Sequence, residues 1–85
     1  MKFNKNKFIY IVSPLEIYKS FLSDLIKILK LKKVSFFQLR LKKKSFKEKI
    51  IIGKKIKRIC KKFNVKFLIN DDVYLAKQLD ADGCH

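Results

Sequence analysis

Short apolar runs alternate along the chain with longer segments in which apolar residues recur every three or four positions. The runs at 8–12, 34–41 and 66–70 carry β-branched, aromatic and leucine side chains and predict strands buried in a sheet. Residues 81–85 predict the opening of a fourth strand. The segments between these runs predict amphipathic helices. Their apolar stripes are Tyr18, Phe21, Leu25 and Leu29, then Ile52, Ile56, Ile59 and Phe63, then Leu75, Ala76 and Leu79.

Polar residues predict where these helices begin. Residues 13–16, Ser-Pro-Leu-Glu, have the pattern of a capping box with proline at the first helical position. Residues 45–48, Ser-Phe-Lys-Glu, have a second capping box. Asp71 or Asp72 can cap the third helix. Asp72 is the better candidate of the two, which would leave Asp71 free.

The predicted order is β-α-β-α-β-α-β. Strands joined through helices imply crossover connections and therefore a parallel sheet of the α/β class. The 85 residues hold three and a half βα units, which make neither a closed barrel nor a familiar complete domain. We therefore expect a single partial domain, 1–85, that is a truncated product.

The chain is strongly basic, with 22 Lys and Arg against 7 Asp and Glu and a formal net charge of +15. Such a charge raises the possibility of a nucleic-acid partner. Only Arg40 and Arg58 are arginines, however, and the lysines are spread through all three helical segments and the loops rather than gathered on one stripe. Arginine is the usual residue for bidentate contacts to phosphates and bases, so we interpret the lysines mainly as solvated surface.

The remaining composition predicts a reduced, cytoplasmic protein without a membrane partner. Two cysteines that lack metal-ligand spacing, Cys60 and Cys84, predict neither a metal site nor a disulfide framework. We expect Cys60 in a helix core and Cys84 in a strand. No segment approaches the roughly 20 apolar residues of a membrane span.

The end of the second predicted strand carries the strongest chemical signal. Alternation along a strand places Gln38, Arg40 and Lys42 on one side, at the carboxyl end, where parallel α/β folds bind ligands. An amide and two cations suit a phosphorylated ligand with a neutral hydrogen-bonding part. The alternative is a strand end that frays into solvent, where Lys and Arg are common.

Two further signals lie at the ends of the third and fourth strands. Asn70 can bind a phosphate, and Asp71 is a ligand type that Mg²⁺ favours, although simple helix capping is an alternative for the pair. His85 is the weakest signal alone. If Ala81, Gly83 and His85 share a face, the two small residues leave room for a ligand near His85.

Four stretches together resemble the thiamine phosphate synthase family, in its order and at its spacing. They are residues 9–14 (IYIVSP), 37–42 (FQLRLK), 67–76 (FLINDDVYLA) and 81–85 (ADGCH). The resemblance implies the amino-terminal half of a (β/α)8 (TIM) barrel. It also implies a transferase that couples hydroxymethylpyrimidine diphosphate with hydroxyethylthiazole phosphate, giving thiamine phosphate and diphosphate.

The resemblance also assigns expected roles to residues. The pyrimidine diphosphate would be held by Gln38, Leu39, Arg40, Leu41, Lys42, Asn70 and His85, and Mg²⁺ by Asp71. The family pattern continues past His85 with a second Mg²⁺-binding aspartate, and its thiazole phosphate site also lies there. At position 72, where the family often has arginine, this chain has Asp72. Because the second aspartate and the thiazole phosphate site lie past His85, we expect the isolated chain to be inactive. Its uncovered sheet predicts poor solubility or self-association.

Two other functions remain open from the sequence. A thiazole tautomerase-type relative shares the barrel but not the coupling reaction. A small basic nucleic-acid-binding protein would bind DNA or RNA with an affinity that falls steeply with salt. The combined Gln38/Arg40/Lys42 and Asn70-Asp71 motifs favour the synthase, whose partners would be small molecules rather than nucleic acid or membrane.

Overall fold

Four parallel strands lie side by side in chain order, β1-β2-β3-β4, in a computed structural model that describes residues 9–85. The predicted order β-α-β-α-β-α-β is confirmed. Phe8, the first residue of the first predicted strand, lies outside the described residues. The elements are β1 (Ile9–Val12), α1 (Phe21–Leu29), β2 (Val34–Leu39), α2 (Phe46–Lys62), β3 (Lys66–Ile69), α3 (Val73–Leu79) and β4 (Gly83–Cys84).

The strand register divides the sheet into two faces. Phe37 pairs with Phe67 and Leu39 with Ile69, so these four side chains share one face, here called the covered face. Gln38 pairs with Leu68 between them, so the alternate residues form the opposite face, here called the open face. Its members include Tyr10, Val12, Phe36, Gln38, Lys66, Leu68, Asn70 and Gly83.

The helices bury the covered face. All four of its central side chains are at most 2% exposed, and they join one apolar cluster with residues from all three helices. The helical members are Phe21, Leu25, Leu29, Ile56, Cys60, Leu75, Ala76 and Leu79. Burial of this kind, worth about 1.5–3 kcal/mol for each large side chain, holds the helices on the sheet.

The first helix begins later than the sequence predicts. The structure shows no helix at Ser13; α1 begins at Phe21, after Ser20. The Ser13 backbone N–H instead extends the pairing of β1 by donating to the Gln38 carbonyl at 2.9 Å. The serine hydroxyl accepts the Arg40 N–H at 2.8 Å. The capping-box prediction was wrong because these partners on the neighbouring strand occupy the side chain that would have capped the helix.

The other two predicted helix starts are confirmed. Ser45 and Glu48 form a reciprocal capping box at α2, with bonds of 3.1 and 2.9 Å. Asp72 caps α3 by accepting the Leu75 N–H at 2.9 Å. Unlike Ser13, Ser45 and Asp72 make their side-chain hydrogen bonds to backbone groups three residues ahead.

The buried stripe of α2 differs slightly from its prediction. Gly53, Ile56 and Cys60 are its buried residues, whereas Ile52, Ile59 and Phe63 are only partly buried. Gly53 lies where α3 crosses closely, since a Cβ there would collide with the side chain of Leu79. The absence of a side chain at Gly53 therefore lets α2 and α3 pack together.

Three strands are shorter than predicted. β2 ends at Leu39 rather than Leu41, and β3 ends at Ile69 rather than Asn70. β4 extends over Gly83–Cys84 within the predicted 81–85. Within residues 9–85, no helix has the length and apolar character needed to cross a membrane.

Candidate functional site

A row of three side chains crosses the open face, from Tyr10 within β1, through Gln38 near the end of β2, to Asn70 directly after β3. The Asn70 amide nitrogen donates to the Gln38 amide oxygen at 3.0 Å, and the Gln38 amide nitrogen donates to the Tyr10 hydroxyl at 2.8 Å. The three residues are 28 and 32 positions apart in sequence. The predicted meeting of Gln38 with Asn70 is therefore confirmed, and Tyr10 extends the row.

Arg40 lies directly after β2, two residues beyond Gln38. Its backbone is fixed by Ser13, whose hydroxyl accepts the Arg40 N–H and donates toward the Arg40 carbonyl at 3.2 Å. Its side-chain Nε is the only buried side-chain nitrogen or oxygen in the described part of the chain that lacks a hydrogen-bond partner. A buried, unpaired guanidinium N–H is costly and suits a site that an anion completes.

The other residues of the predicted segment 38–42 differ in what they can contribute. Leu39 is 2% exposed on the covered face, and Leu41 packs against the same apolar cluster. Their side chains therefore belong to the core and face away from the row. Lys42 is exposed in the loop that follows, with its backbone N–H donating to the Leu15 carbonyl at 3.2 Å.

The Asn-Asp corner after β3 has an unusual backbone. Asp71 has a φ of 57°, in the left-handed region that residues other than glycine, asparagine and aspartate seldom occupy. Its side chain is exposed and makes no hydrogen bond or ion pair with any residue in 9–85. Asp72 caps α3, so the predicted division of roles between the two aspartates agrees with the geometry.

His85 joins this corner through its backbone. Its N–H donates to the Ile69 carbonyl and its carbonyl accepts the Asp71 N–H, both at 2.8 Å. Gly83 pairs with Leu68 and so lies on the open face, and alternation places His85 on that side as well. The imidazole is exposed.

The described residues do not form a protein-only metal centre. No group of three or more His, Cys, Asp or Glu side chains within 9–85 lies close enough to hold a metal ion. The exposed carboxylate of Asp71 nonetheless fits Mg²⁺, which commonly takes one or two carboxylates and completes its shell with phosphates and waters.

Sequence reasoning missed Tyr10 and assigned Ser13 the wrong role. Tyr10 is 44% exposed, and its ring stacks on Phe36 with centroids 5.6 Å apart. A single hydroxyl within the otherwise apolar run of β1 was the available signal. Its partner is on another strand, so the run itself gave no reason to select it.

The chain matches a known protein family over nearly its whole length. The family model described as thiamine monophosphate synthase matches residues 9–85, a range that includes every residue of the site. The chain belongs to the thiamine monophosphate synthase family. The resemblance inferred from the four sequence stretches is thereby confirmed.

Named relatives agree with this membership. A thiamine-phosphate synthase of Pelagibacter ubique is 60% identical over 88 aligned positions, which cover 100% of this chain and 42% of the relative. A thiamine-phosphate synthase of Flavobacterium johnsoniae is 42% identical over 50 positions, covering 59% of this chain and 24% of the relative. The chain thus spans less than half the length of these relatives.

A solved structure shows the same architecture. Thiamine phosphate pyrophosphorylase from Pyrococcus furiosus superposes with a TM-score of 0.77 at 25% identity, over 95% of this chain and 39% of that protein. The prediction of the amino-terminal part of a (β/α)8 barrel is confirmed. In such barrels, the open face of the sheet corresponds to the interior and its carboxyl end to the face that binds ligands.

Proposed function

We propose that this chain forms the pyrimidine diphosphate site of a thiamine-phosphate synthase. In this reaction, hydroxymethylpyrimidine diphosphate and hydroxyethylthiazole phosphate give thiamine phosphate and diphosphate. Gln38, Asn70, Arg40 and Lys42 would recognise the pyrimidine diphosphate, and Asp71 would hold Mg²⁺. The thiazole phosphate site belongs to the part of the relatives that this chain does not span.

The hydrogen bond between Gln38 and Asn70 is the observation that carries this proposal. It brings the two motifs of the family resemblance into one site at the ligand-binding end of the sheet. The unpartnered Arg40 Nε and the exposed Lys42 lie just beyond it along the chain, where a diphosphate would need positive charge.

The residues have separate tasks in the proposed reaction. Gln38 and Asn70 hold the neutral ring, while Arg40 and Lys42 stabilise negative charge on the departing diphosphate. The bond between the pyrimidine methylene carbon and the diphosphate oxygen breaks, and its electron pair leaves with the diphosphate. The thiazole nitrogen then donates its lone pair to that carbon, so the reaction requires no protein nucleophile. Asp71 would hold Mg²⁺, which would supply further neutralisation of the leaving group.

A chimera tests the proposal in a full-length context. Residues 1–85 would replace the matching segment of the Pelagibacter ubique relative, since 60% identity makes a compatible interface expected. We expect the chimera to form thiamine phosphate from the two substrates with Mg²⁺, and we expect the 85-residue chain alone to form none. A folded chimera without coupling activity would argue against the function and leave the tautomerase-type alternative.

The two arginines provide a matched pair for the same assay. Arg40→Gln removes the cation expected at the diphosphate, whereas Arg58→Gln removes an exposed cation on α2. We expect Arg40→Gln to lower kcat/KM by about 100-fold or more, since charge stabilisation at a leaving group is typically worth that much. Arg58→Gln should retain wild-type activity. Equal effects of the two changes would contradict the assigned site.

A further inference from the structure

We infer that Tyr10 is a positioning residue for the pyrimidine ring, acting through Gln38. The inference deepens the proposed function and rests on it. It assigns to β1 a share in selecting the ring, as distinct from the diphosphate. The observation behind it is the unbroken hydrogen-bonded row Tyr10–Gln38–Asn70 across three neighbouring strands.

Gln38 is a buried side chain whose two amide atoms are both engaged. It is only 4% exposed, its oxygen accepts from Asn70, and its nitrogen donates to Tyr10. A buried amide that loses one partner has an unsatisfied polar atom and is driven to another orientation. The Tyr10 hydroxyl therefore determines where the Gln38 amide lies.

The Tyr10 ring is itself held in place. It stacks on Phe36 with an interplanar angle of 24°, and the two residues pair in register between β1 and β2. Because Phe36 and Gln38 are alternate residues of one strand, the stacked ring keeps the hydroxyl close to the amide. The stacking needs only the ring, so a phenylalanine would preserve it.

The row leaves a defined set of hydrogen-bonding groups for a ligand. The Tyr10 oxygen accepts from Gln38, so its own proton is available to donate. The Gln38 side-chain nitrogen has a second N–H, and the side-chain oxygen of Asn70, Oδ1, has no partner among the described residues. Donors beside an acceptor suit a neutral heteroaromatic ring that carries an amino group, whereas a diphosphate offers only acceptors.

The charged groups of the site do not depend on Tyr10. Arg40 is fixed by Ser13, and Asp71 by the backbone of His85. Loss of the Tyr10 hydroxyl should therefore change ring recognition and leave diphosphate and Mg²⁺ recognition intact. A purely structural role would weaken both kinds of binding together.

The first experiment observes the Gln38 side-chain amide by NMR, without ligand. Tyr10→Phe should shift both Gln38 side-chain N–H resonances and speed their exchange with water, because the nitrogen loses its acceptor. Tyr18→Phe is the matched control, since it removes a hydroxyl that donates to Asp24 far from Gln38 in the chain. Unchanged Gln38 resonances in a folded Tyr10→Phe variant would overturn the inference.

The second experiment compares two probes, hydroxymethylpyrimidine diphosphate and inorganic diphosphate, each with Mg²⁺. Tyr10→Phe should weaken binding of the pyrimidine compound by about three- to tenfold, the value of one net hydrogen bond. Its affinity for inorganic diphosphate should equal that of wild type and of Tyr18→Phe. The measurement is made by NMR titration of the 85-residue chain and repeated in the chimera.

The outcomes separate the inference from the function on which it rests. If wild type binds neither probe in the chimera, the proposed function fails, and the amide resonances still decide whether Tyr10 positions Gln38. If wild type binds both probes and Tyr10→Phe weakens neither or both equally, the inference fails while the proposed function stands. Selective loss of the pyrimidine compound supports both.

Discussion

The two faces of the sheet are built from the same strands and have opposite surroundings. On the covered face, Phe37 and Phe67 are at most 1% exposed beneath the helices. On the open face, Tyr10 and Val12 are each 44% exposed, and the polar row lies among them. Because neighbouring residues of a strand point to opposite faces, a shift of one position exchanges a core residue for a site residue.

This difference separates stability from recognition along single strands. Phe37 and Leu39 stabilise the fold, while Gln38 between them belongs to the candidate site. The open face contributes less to stability because two of its side chains, Tyr10 and Val12, remain 44% exposed. Gln38 is the exception on this face, since it is only 4% exposed and is hydrogen-bonded to both Tyr10 and Asn70.

Adjacent phenylalanines provide the strongest test of this comparison. Phe37→Ala should lower the free energy of unfolding by about 3–5 kcal/mol, since it empties a fully buried site. Phe36→Ala, on the open face, should cost about 1.5 kcal/mol or less. Urea denaturation followed by circular dichroism measures both. Equal losses would mean that the two faces are packed alike.

The covered face should also make the protein sensitive to alkali. Burial, with a smaller contribution from nearby Asp82, raises the pKa of the Cys60 thiol from 9.0 to about 12. The folded state therefore disfavours the Cys60 thiolate. The contribution of the protonated thiol to the free energy of unfolding is complete below pH 9 and is lost as pH rises toward 12. The loss approaches about 4 kcal/mol at pH 12.

Denaturation at pH 8, 10 and 11 checks this prediction against a control. Cys60→Ala should show a smaller alkaline loss than wild type, since lysine titration is common to both. Cys84 is exposed and should react with a thiol reagent in the folded protein, whereas Cys60 should react only on unfolding. Rapid labelling of both cysteines under native conditions would contradict burial of Cys60.

Substitution of Ser13 and of Ser45 compares the loss of a contact between neighbouring strands with the loss of a helix cap. Ser13→Ala should lower the free energy of unfolding by about 1–3 kcal/mol, because the partly buried Arg40 backbone N–H loses its acceptor. Helix content should remain unchanged. Ser45→Ala should cost about 1 kcal/mol and loosen the first turn of α2. Backbone NMR shifts report each effect, and loss of helical shifts near residue 16 in Ser13→Ala would favour the capping box instead.

The smallest effect on stability should accompany a clear effect on binding. Asp71→Asn retains a residue type that tolerates the left-handed backbone, so its free energy of unfolding should change by less than about 0.5 kcal/mol. In the chimera, calorimetry should show that Mg²⁺-dependent binding of the pyrimidine diphosphate weakens by about tenfold or more.

A matched control distinguishes the carboxylate from the backbone conformation. Asp80 also has a left-handed backbone, with a φ of 52°, and is exposed at the other end of α3. Asp80→Asn should bind the pyrimidine diphosphate as wild type does. Without Mg²⁺, Asp71→Asn and wild type should bind it equally. A remaining difference would argue against a metal role for Asp71.

Much of the fold follows from local signals in the sequence. The capping box of Ser45 and Glu48 and the cap at Asp72 were predicted because each depends on residues three positions apart. The parallel order followed from alternation of strands and helices. The same reasoning failed at Ser13, because the local pattern contained no sign of Arg40, 27 positions away.

The candidate site was predictable in its composition but not in its full arrangement. The sequence determined the alternation that puts Gln38 and Asn70 on one face, since side-chain direction in a strand has a fixed period. Only the tertiary structure brought Tyr10 to Gln38, bound Ser13 to Arg40 and left the Arg40 Nε without a partner. The two hydrogen-bonded contacts join residues 28 and 27 positions apart, and their geometry depends on strand register, which packing of the covered face sets.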